Sequence, residues 1–541
     1  ALPPGVNLYA ISWRWLSGMD VADFESQGGF GCGRFCNLII ICVRRNFMKR
    51  EIRSKLVKIT VCMVVLWILG TVITGNAFAA VKLAEIGQGN GTVTADLDVI
   101  GRYENWEWFD PGTNDNEYGY YFTRTRLGLG LNLSWMAAYI QAQDTHMWNL
   151  PENAIAPAPA GPLGIGAIYY AHGHQERYHS TIIRQAYLDF PNLVTDGFSA
   201  RIGRFDYIEG LEVLYDNPKI NWLKKMRLAE RLIGTFGWSS FCRSFDGIKL
   251  SYDNTDWNLT GAWIYPTQGG FENDAQKTID DIDVGTLTLT AKYNTLIPNV
   301  EGRIFYFRYD DSRDIPKVDN TGAVAGDIEI NTLGFHLVGI YKSDRGIADA
   351  LIWSAYQNGD WGRLDHKAWA YAIEAGYQFT TVFGKPWIRV GFDASSGDSN
   401  SADGDHETFY QMLPTVYKYA HFPFYNLMNS EDLFIQAILK PMKNVVMNAE
   451  YHMLKLSERN DLWYMGSGPT RENDIFGYIG RPSGGDDELA RVLGLTTVYT
   501  YNEHFSGTFF YGHAFGGDVV QNIYTKDDDA NFFYLQVNLR F

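Results

Sequence analysis

The 541-residue chain has almost no long apolar runs; the one it has extends from Ile59 to Ile73. A helical membrane protein needs several stretches of about 20 apolar residues, so that class is excluded. Cysteine is scarce, with five residues, and four of them lie before residue 80. Cys242 alone follows, which rules out an internal disulfide or a cysteine metal site in the bulk of the chain. Basic charge is also in deficit, with 46 Lys and Arg against 62 Asp and Glu. A net charge of -16 argues against nucleic acid as a partner. No Gly-x-Ser-x-Gly nucleophile turn and no Cys-x-x-Cys-His haem site occur.

The apolar run follows "MKREIRSKLVK" and precedes "GNAFAA". A basic start, an apolar middle and small residues before the cut describe a secretory signal peptide over residues 48–79. Cleavage is expected between Ala79 and Ala80. Residues 1–47 are expected to lie upstream of the natural start, because a leader works from a terminus. Residues 1–79 hold nine of the Lys and Arg and four of the Asp and Glu, so residues 80–541 carry 37 against 58, a net -21.

What remains is rich in glycine (54), tyrosine (33) and phenylalanine (32), and it repeats one pattern. In "TVTADLDVIGRYE", Val93, Ala95, Leu97, Val99 and Tyr103 share one parity; Asp96, Asp98, Arg102 and Glu104 share the other. "FTRTRLGLGLNL" sets Leu127, Leu129, Leu131 and Leu133 against Arg124 and Arg126. "KPWIRVGF" sets Ile388 and Val390 against Arg389. Period-two alternation predicts strands with two unlike faces. Charged inner faces, aromatics near segment ends, and tight turns alternating with long polar loops favour a transmembrane antiparallel β-barrel over a soluble sandwich. The fold class is therefore all-β, one barrel over residues 80–541. Long extracellular loops are predicted at 144–180, 208–240, 266–282, 310–330, 394–432 and 457–489. A closed barrel leaves no bare strand edge in lipid, so the last strand, "ANFFYLQVNLRF", must pair with the first. Its terminal Phe541 is expected to engage the barrel-assembly machinery. With the leader, this points to an outer membrane, with its lipid as one partner.

Several blocks resemble the bacterial alginate-export family of outer-membrane porins. They are "RIGRFDYIEG", "AERLIGTFGWSSFCRSFDGIKLSY", "IIRQAYLDF", "FDASSGDSNSADGDHETFYQMLPT", "DLFIQAILKPMKNVVMNAEYHMLKLSERNDLWY" and the run from "YGHAFGGDVV" to the end. The resemblance implies an 18-stranded barrel with a narrowed, arginine-rich lumen for an anionic polysaccharide, and periplasmic export partners. Its motif positions here are Arg184, Arg204, Arg231, Arg243 and Asp246. The family's Gln-Glu after Gly-Arg is replaced by Phe205-Asp206.

Arginine suits a lumen for anions, because its guanidinium stays charged and grips carboxylates with two prongs. Parity sends Arg102, Arg124, Arg126 and Arg389 inward, and Lys292 with Thr288 and Thr290. Arg184 falls on the outward parity with Ala186 and Leu188; a bulge or a periplasmic end position would reconcile it. The predicted selectivity set is thus Arg102, Arg124, Arg126, Arg184, Arg204, Arg231, Arg243, Lys292 and Arg389. Ion pairing with Glu104, Glu374 or Asp246 is the structural alternative for each.

Asp393, Asp398, Asp403 and Asp405 form a weak candidate calcium loop, without the spacing of a helix-flanked calcium loop or a closing glutamate. His172, His174 and His179 read as a plain surface loop, and no metal or other cofactor is expected. The function expected is a channel for anionic solutes or an anionic polysaccharide, not an enzyme. The alternatives are a general diffusion porin, a barrel enzyme, and a sheath around an electron conduit. His452 and Glu450 share the lumenal parity, but nothing beside them completes a Ser-His-acid set.

Overall fold

The alternating segments pair edge to edge until the sheet meets its own start. A computed structural model describes residues 80–541 apart from 88, 89 and 325, so the predicted leader and upstream segment lie outside the described residues. Eighteen strands form the closed antiparallel barrel. They are β1 (Gly91–Glu107), β2 (Glu117–Leu133), β3 (Ala137–Trp148), β4 (Arg177–Phe190), β5 (Phe198–Phe205) and β6 (Phe245–Asp253). There follow β7 (Trp257–Pro266), β8 (Ile282–Ala291), β9 (Val300–Asp311), β10 (Ile328–Ser343), β11 (Gly346–Trp361) and β12 (Leu364–Phe379). The circuit ends with β13 (Trp387–Ser395), β14 (Glu431–Met442), β15 (Val445–Lys455), β16 (Glu488–Thr500), β17 (Phe505–Gly516) and β18 (Asp529–Arg540).

Closure is made by β18 against β1, in register from Asp98↔Arg540 to Glu107↔Asn531. The final residue extends it: Phe541 N donates to Leu97 O at 2.8 Å, and Leu97 N donates to Phe541 O at 2.9 Å. Its ring stacks on His504, with centroids 4.8 Å apart. Below that seam a short leading strand, Val81–Ile86, pairs with the start of β1. Between them, β18, Phe541 and the leading strand pair with most of the length of β1 on this edge, as a strand in lipid requires.

Burial is inverted relative to a soluble protein. Leu129 is 46% exposed while its near neighbour Arg126 is 3% exposed. Leu127, Ile140, Ile304, Leu333 and Ile373 continue the bare apolar surface around the outside. Such a surface is stable only against lipid. No helix among the described residues is long and apolar enough to cross a membrane; the crossing is made by strands.

Turns at one end are short, such as 134–136, 254–256, 344–345 and 443–444. At 254–256 the Asn254 side chain accepts from Asp256 N (2.9 Å) and Trp257 N (2.8 Å), folding the backbone back in a local Asx turn. Loops at the other end run over 149–176, 206–244, 267–281, 312–327, 396–430 and 456–487, close to the predicted spans. In outer-membrane barrels the short turns are periplasmic and the long loops extracellular. β10, β11 and β12 have 16 residues each, more than the 9–11 or so that span a bilayer, so this wall rises above the membrane.

Two long loops fold into the barrel. Loop 206–244 carries α2 (Pro218–Leu223), while α1 (Ile165–Gly173) sits in the 149–176 loop. Loop 396–430 meets loop 206–244 through a parallel bridge: Leu413 N donates to Leu232 O and Gly234 N to Leu413 O, both at 2.8 Å. Aromatic shelves on the wall support them. Trp106 stacks on Phe532 at 3.8 Å, and Phe422 and Phe424 of the loop pack among Trp106, Trp108 and Phe109.

Candidate functional site: a lumen with two unlike walls

The site is built where loop 206–244 crosses the lumen. Asn217 caps α2 by accepting from Lys219 N at 3.1 Å, and Pro218 occupies the first turn, where it loses no hydrogen bond. The helix then runs into a π-helical turn, Lys224–Leu228, which directs a row of cations at one wall.

That wall is acidic. Lys219 lies 3.4 Å from Asp349 on β11 and over the Trp387 ring at 3.2 Å. Lys224 meets Glu301 on β9 at 2.6 Å, and Arg227 meets Glu374 on β12 at 2.9 Å. Arg231 bridges Asp393 on β13 (3.1 Å) and Glu374 (3.2 Å). The pairing also runs the other way: wall Arg303 grips loop Glu209 (2.9 Å) and Glu212 (2.7 Å). Arg389 stays within the wall, between Asp349 (3.2 Å) and Glu374 (3.0 Å). All of these groups are buried, so each charge depends on its partner.

The opposite wall is the inner face of β1 and β2, and its cations belong to the barrel. Arg124 donates to the carbonyls of Ser239 (2.7 Å) and Gly237 (3.2 Å) and lies 3.0 Å from Cys242 Sγ. Arg126 reaches Gln143 (2.8 Å) and Cys242 Sγ (2.9 Å). Arg102 donates to Trp238 O at 2.9 Å, lies over that indole at 4.6 Å and pairs with Glu104 at 3.1 Å. Burial raises the Cys242 thiol, but Arg124 and Arg126 outweigh it and hold it below the ordinary thiol value. Between the two inward loops, Arg231, Asp393, Tyr419, Tyr425 and Asp432 line a cavity of about 20 Å³, room for about one water.

The other predicted residues divide. Arg184 points inward because β4 bulges there: Gln185 pairs with Gln141 but Ile183 with Ala142, which leaves Arg184 as the extra residue. It grips Asp206 at 2.6 and 2.9 Å, so the residue that departs from the family pattern is its counter-ion. Arg243 lies in loop 206–244, where Nη2 donates to Ser467 O at 2.6 Å and burial lowers the guanidinium to about 10. Arg204 needs correction. It faces outward beside Ile202, because its neighbour Phe205 and the facing Phe245 fill the inside. There it grips Asp246 at 2.7 and 2.8 Å under the 267–281 loop, away from the lumen. The preceding Gly203 has φ 122°, and a Cβ there would strike the Ala186 carbonyl. Lys292 also needs correction: β8 ends at Ala291, so the parity argument runs past the strand, and Lys292 pairs with Asp253 at 2.9 Å in the short-turn end.

The four aspartates of the candidate calcium loop do not converge. Asp393 holds Arg231, Asp405 lies 3.2 Å from Lys367, and Asp398 and Asp403 cap backbone amides of their own loop. The three histidines separate as well. His172 bonds Phe271 O from α1, His174 closes that helix, and His179 lies on β4. Lys219, Lys224 and Arg227, with Glu301 and Asp349, were not singled out from the sequence. Their signal was five cations within 219–231, in a chain otherwise dominated by acids.

A family model described as alginate export matches residues 128–533. No curated protein matches the chain. Among solved structures, OccAB2 from Acinetobacter baumannii is similar with a TM-score of 0.51 at 9% identity, covering 83% of this chain and 98% of its own. OccAB4 from the same organism has a TM-score of 0.49 at 8% identity, with the same coverage. OpdK, an outer membrane protein of Pseudomonas aeruginosa, has 0.48 at 9% identity, again with the same coverage. At these identities the likeness speaks for fold alone.

Proposed function

The chain belongs to the alginate export family, outer-membrane channels rather than enzymes, and from that premise we propose that it passes anionic solutes or an anionic polysaccharide along the β1–β2 wall. One observation carries this reading. Arg124 and Arg126 are buried on the inner face, where the strap meets Arg124 with the carbonyls of Gly237 and Ser239 and brings Cys242 Sγ against both.

Loop 206–244 is a strap across the lumen. Its cations occupy the wall acids Glu301, Glu374 and Asp393, which therefore serve as anchors. On the arginine side a passing carboxylate is a stronger acceptor than the carbonyls it displaces, since charge-assisted bonds are roughly twice as strong as neutral ones. Lifting that side alone opens a path lined by guanidinium, with the acids still covered. Phe541 hands the nascent barrel to the assembly machinery, and periplasmic partners deliver the cargo.

The test is reversal potential in planar bilayers. Arg124→Gln with Arg126→Gln is expected to reduce the preference for anions. Unchanged selectivity in the double variant removes this assignment and leaves a general diffusion pore.

A further inference from the structure

The outer surface of the barrel carries a cluster that transport does not use. On β3, Asp144 and His146 share the outward parity of Ile140; on β4, His179 and Thr181 do the same. The register sets His146 directly opposite His179 and Asp144 directly opposite Thr181. The backbone ladder therefore brings three ligating groups into one patch, although 33 residues separate the two histidines. His146 Nε2 lies 2.9 Å from Asp144 Oδ1, and His179 Nε2 lies 2.9 Å from Asp144 Oδ2. The imidazoles stack with centroids 4.1 Å apart, and the three ligand atoms lie within 4.8 Å of one another.

We propose that Asp144, His146 and His179 form a site for a divalent transition-metal ion of the zinc class. Two imidazole nitrogens and one carboxylate oxygen suit zinc, cobalt, nickel or copper rather than calcium or magnesium, which take oxygen ligands. Metal–ligand bonds of about 2.0–2.2 Å at a tetrahedral angle hold ligand atoms roughly 3.3–3.5 Å apart, so the cluster is close to the required size. Thr181 Oγ1 donates to Asp144 Oδ2 at 2.7 Å and orients the carboxylate from outside the ligand set. The three side chains keep partial access to solvent, and three protein ligands leave a position for water. The site sits toward the loop end of β3, ahead of the 149–176 loop. A bound ion would staple β3 to β4 beneath that loop.

The experiment is titration of the full, detergent-purified chain with Co²⁺ alone, read by its ligand-field absorption, followed by displacement with Zn²⁺. One ion per chain is expected, with protons competing for the same ligand atoms. His146→Ala and His179→Ala should each abolish the absorption. Thr181→Ala should weaken binding about 10- to 100-fold. His172→Ala and His174→Ala should leave it unchanged. Asp144→Asn keeps the shape and removes the charge, so it reports on the site even where an alanine variant loses its β-sheet circular dichroism. Substoichiometric cobalt uptake by the folded barrel overturns the proposal. So does uptake that survives in the folded His146→Ala, His179→Ala double variant.

Discussion

The two walls of the lumen hold one strap by opposite arrangements. On β9–β13 the barrel supplies carboxylates and the strap supplies Lys224, Arg227 and Arg231. On β1–β2 the barrel supplies arginines and the strap supplies neutral acceptors from Gly237, Ser239 and Cys242. Removing one partner of a buried ion pair costs about 3–5 kcal/mol, whereas a hydrogen bond from a charged group to a neutral one contributes about 1.5–3 kcal/mol. The strap is therefore anchored on one side and releasable on the other. Which side lifts decides which charge the lumen presents. On the proposed function, release from the arginine wall would uncover guanidinium and release from the acid wall would uncover carboxylate.

The strongest way to break this comparison is Glu374→Gln. Glu374 serves Arg227, Arg231 and Arg389 together; its loss takes the nearest carboxylate from Arg227 and leaves Arg231 only Asp393 and Arg389 only Asp349. Seating of the strap should weaken by about 3–5 kcal/mol. Bilayer recordings should show higher conductance with a drift toward cations, as Glu301, Asp349 and Asp393 come free, and limited proteolysis should cut within 206–244. Wild-type conductance together with wild-type protection would mean that the acid wall is no anchor. Trp238→Leu attacks the other side. Trp238 stacks on Tyr417 at 4.3 Å and covers Arg102, and these contacts together contribute about 1–3 kcal/mol. Openings should become more frequent while the anion preference holds, opposite in sign to Glu374→Gln. A cation drift in both variants would erase the distinction between the walls.

Much of the wall could be read from alternation, because the pleat makes parity a physical coordinate. Arg102, Arg124, Arg126 and Arg389 are buried on the inner face for that reason. Parity misleads where the pleat is interrupted. The bulge at Arg184 turns it inward, and the end of β8 leaves Lys292 in a turn. Arg204 came from motif likeness, and the burial of Phe205 overrides it. The strap was not legible at all, since a loop's path has no period. Only the run of cations over 219–231 hinted that a loop would seek acids. The Asp144, His146 and His179 cluster was hidden for a related reason, because cross-strand register is set by turn geometry and not by either strand alone.

A gentler probe of the strap is pH. Burial raises Glu209 to about 7, with Glu212 reinforcing the shift and Arg303 opposing it. Detachment of the strap from the acid wall, where Glu209 meets Arg303, would expose Glu209 to water and return it toward 4.5. The seated form therefore keeps a proton that the released form loses between those values, and seating weakens as pH rises through that window. Open probability should climb from pH 5 to pH 7, and Glu209→Gln should flatten the climb. The same slope in that variant would assign the effect to another group.

The smallest effect is expected where neither wall is touched. Lys292 pairs with Asp253 at the short-turn end, and the aspartate side chain is half exposed. Exposed pairs contribute about 0–1 kcal/mol, and salt screens them. Lys292→Gln should leave anion preference and strap openings at wild-type values and lower thermal stability by less than about 1 kcal/mol. A clear loss of anion selectivity in this variant would move the filter to the periplasmic mouth. The contrast between the two walls would then govern strap position without governing what passes.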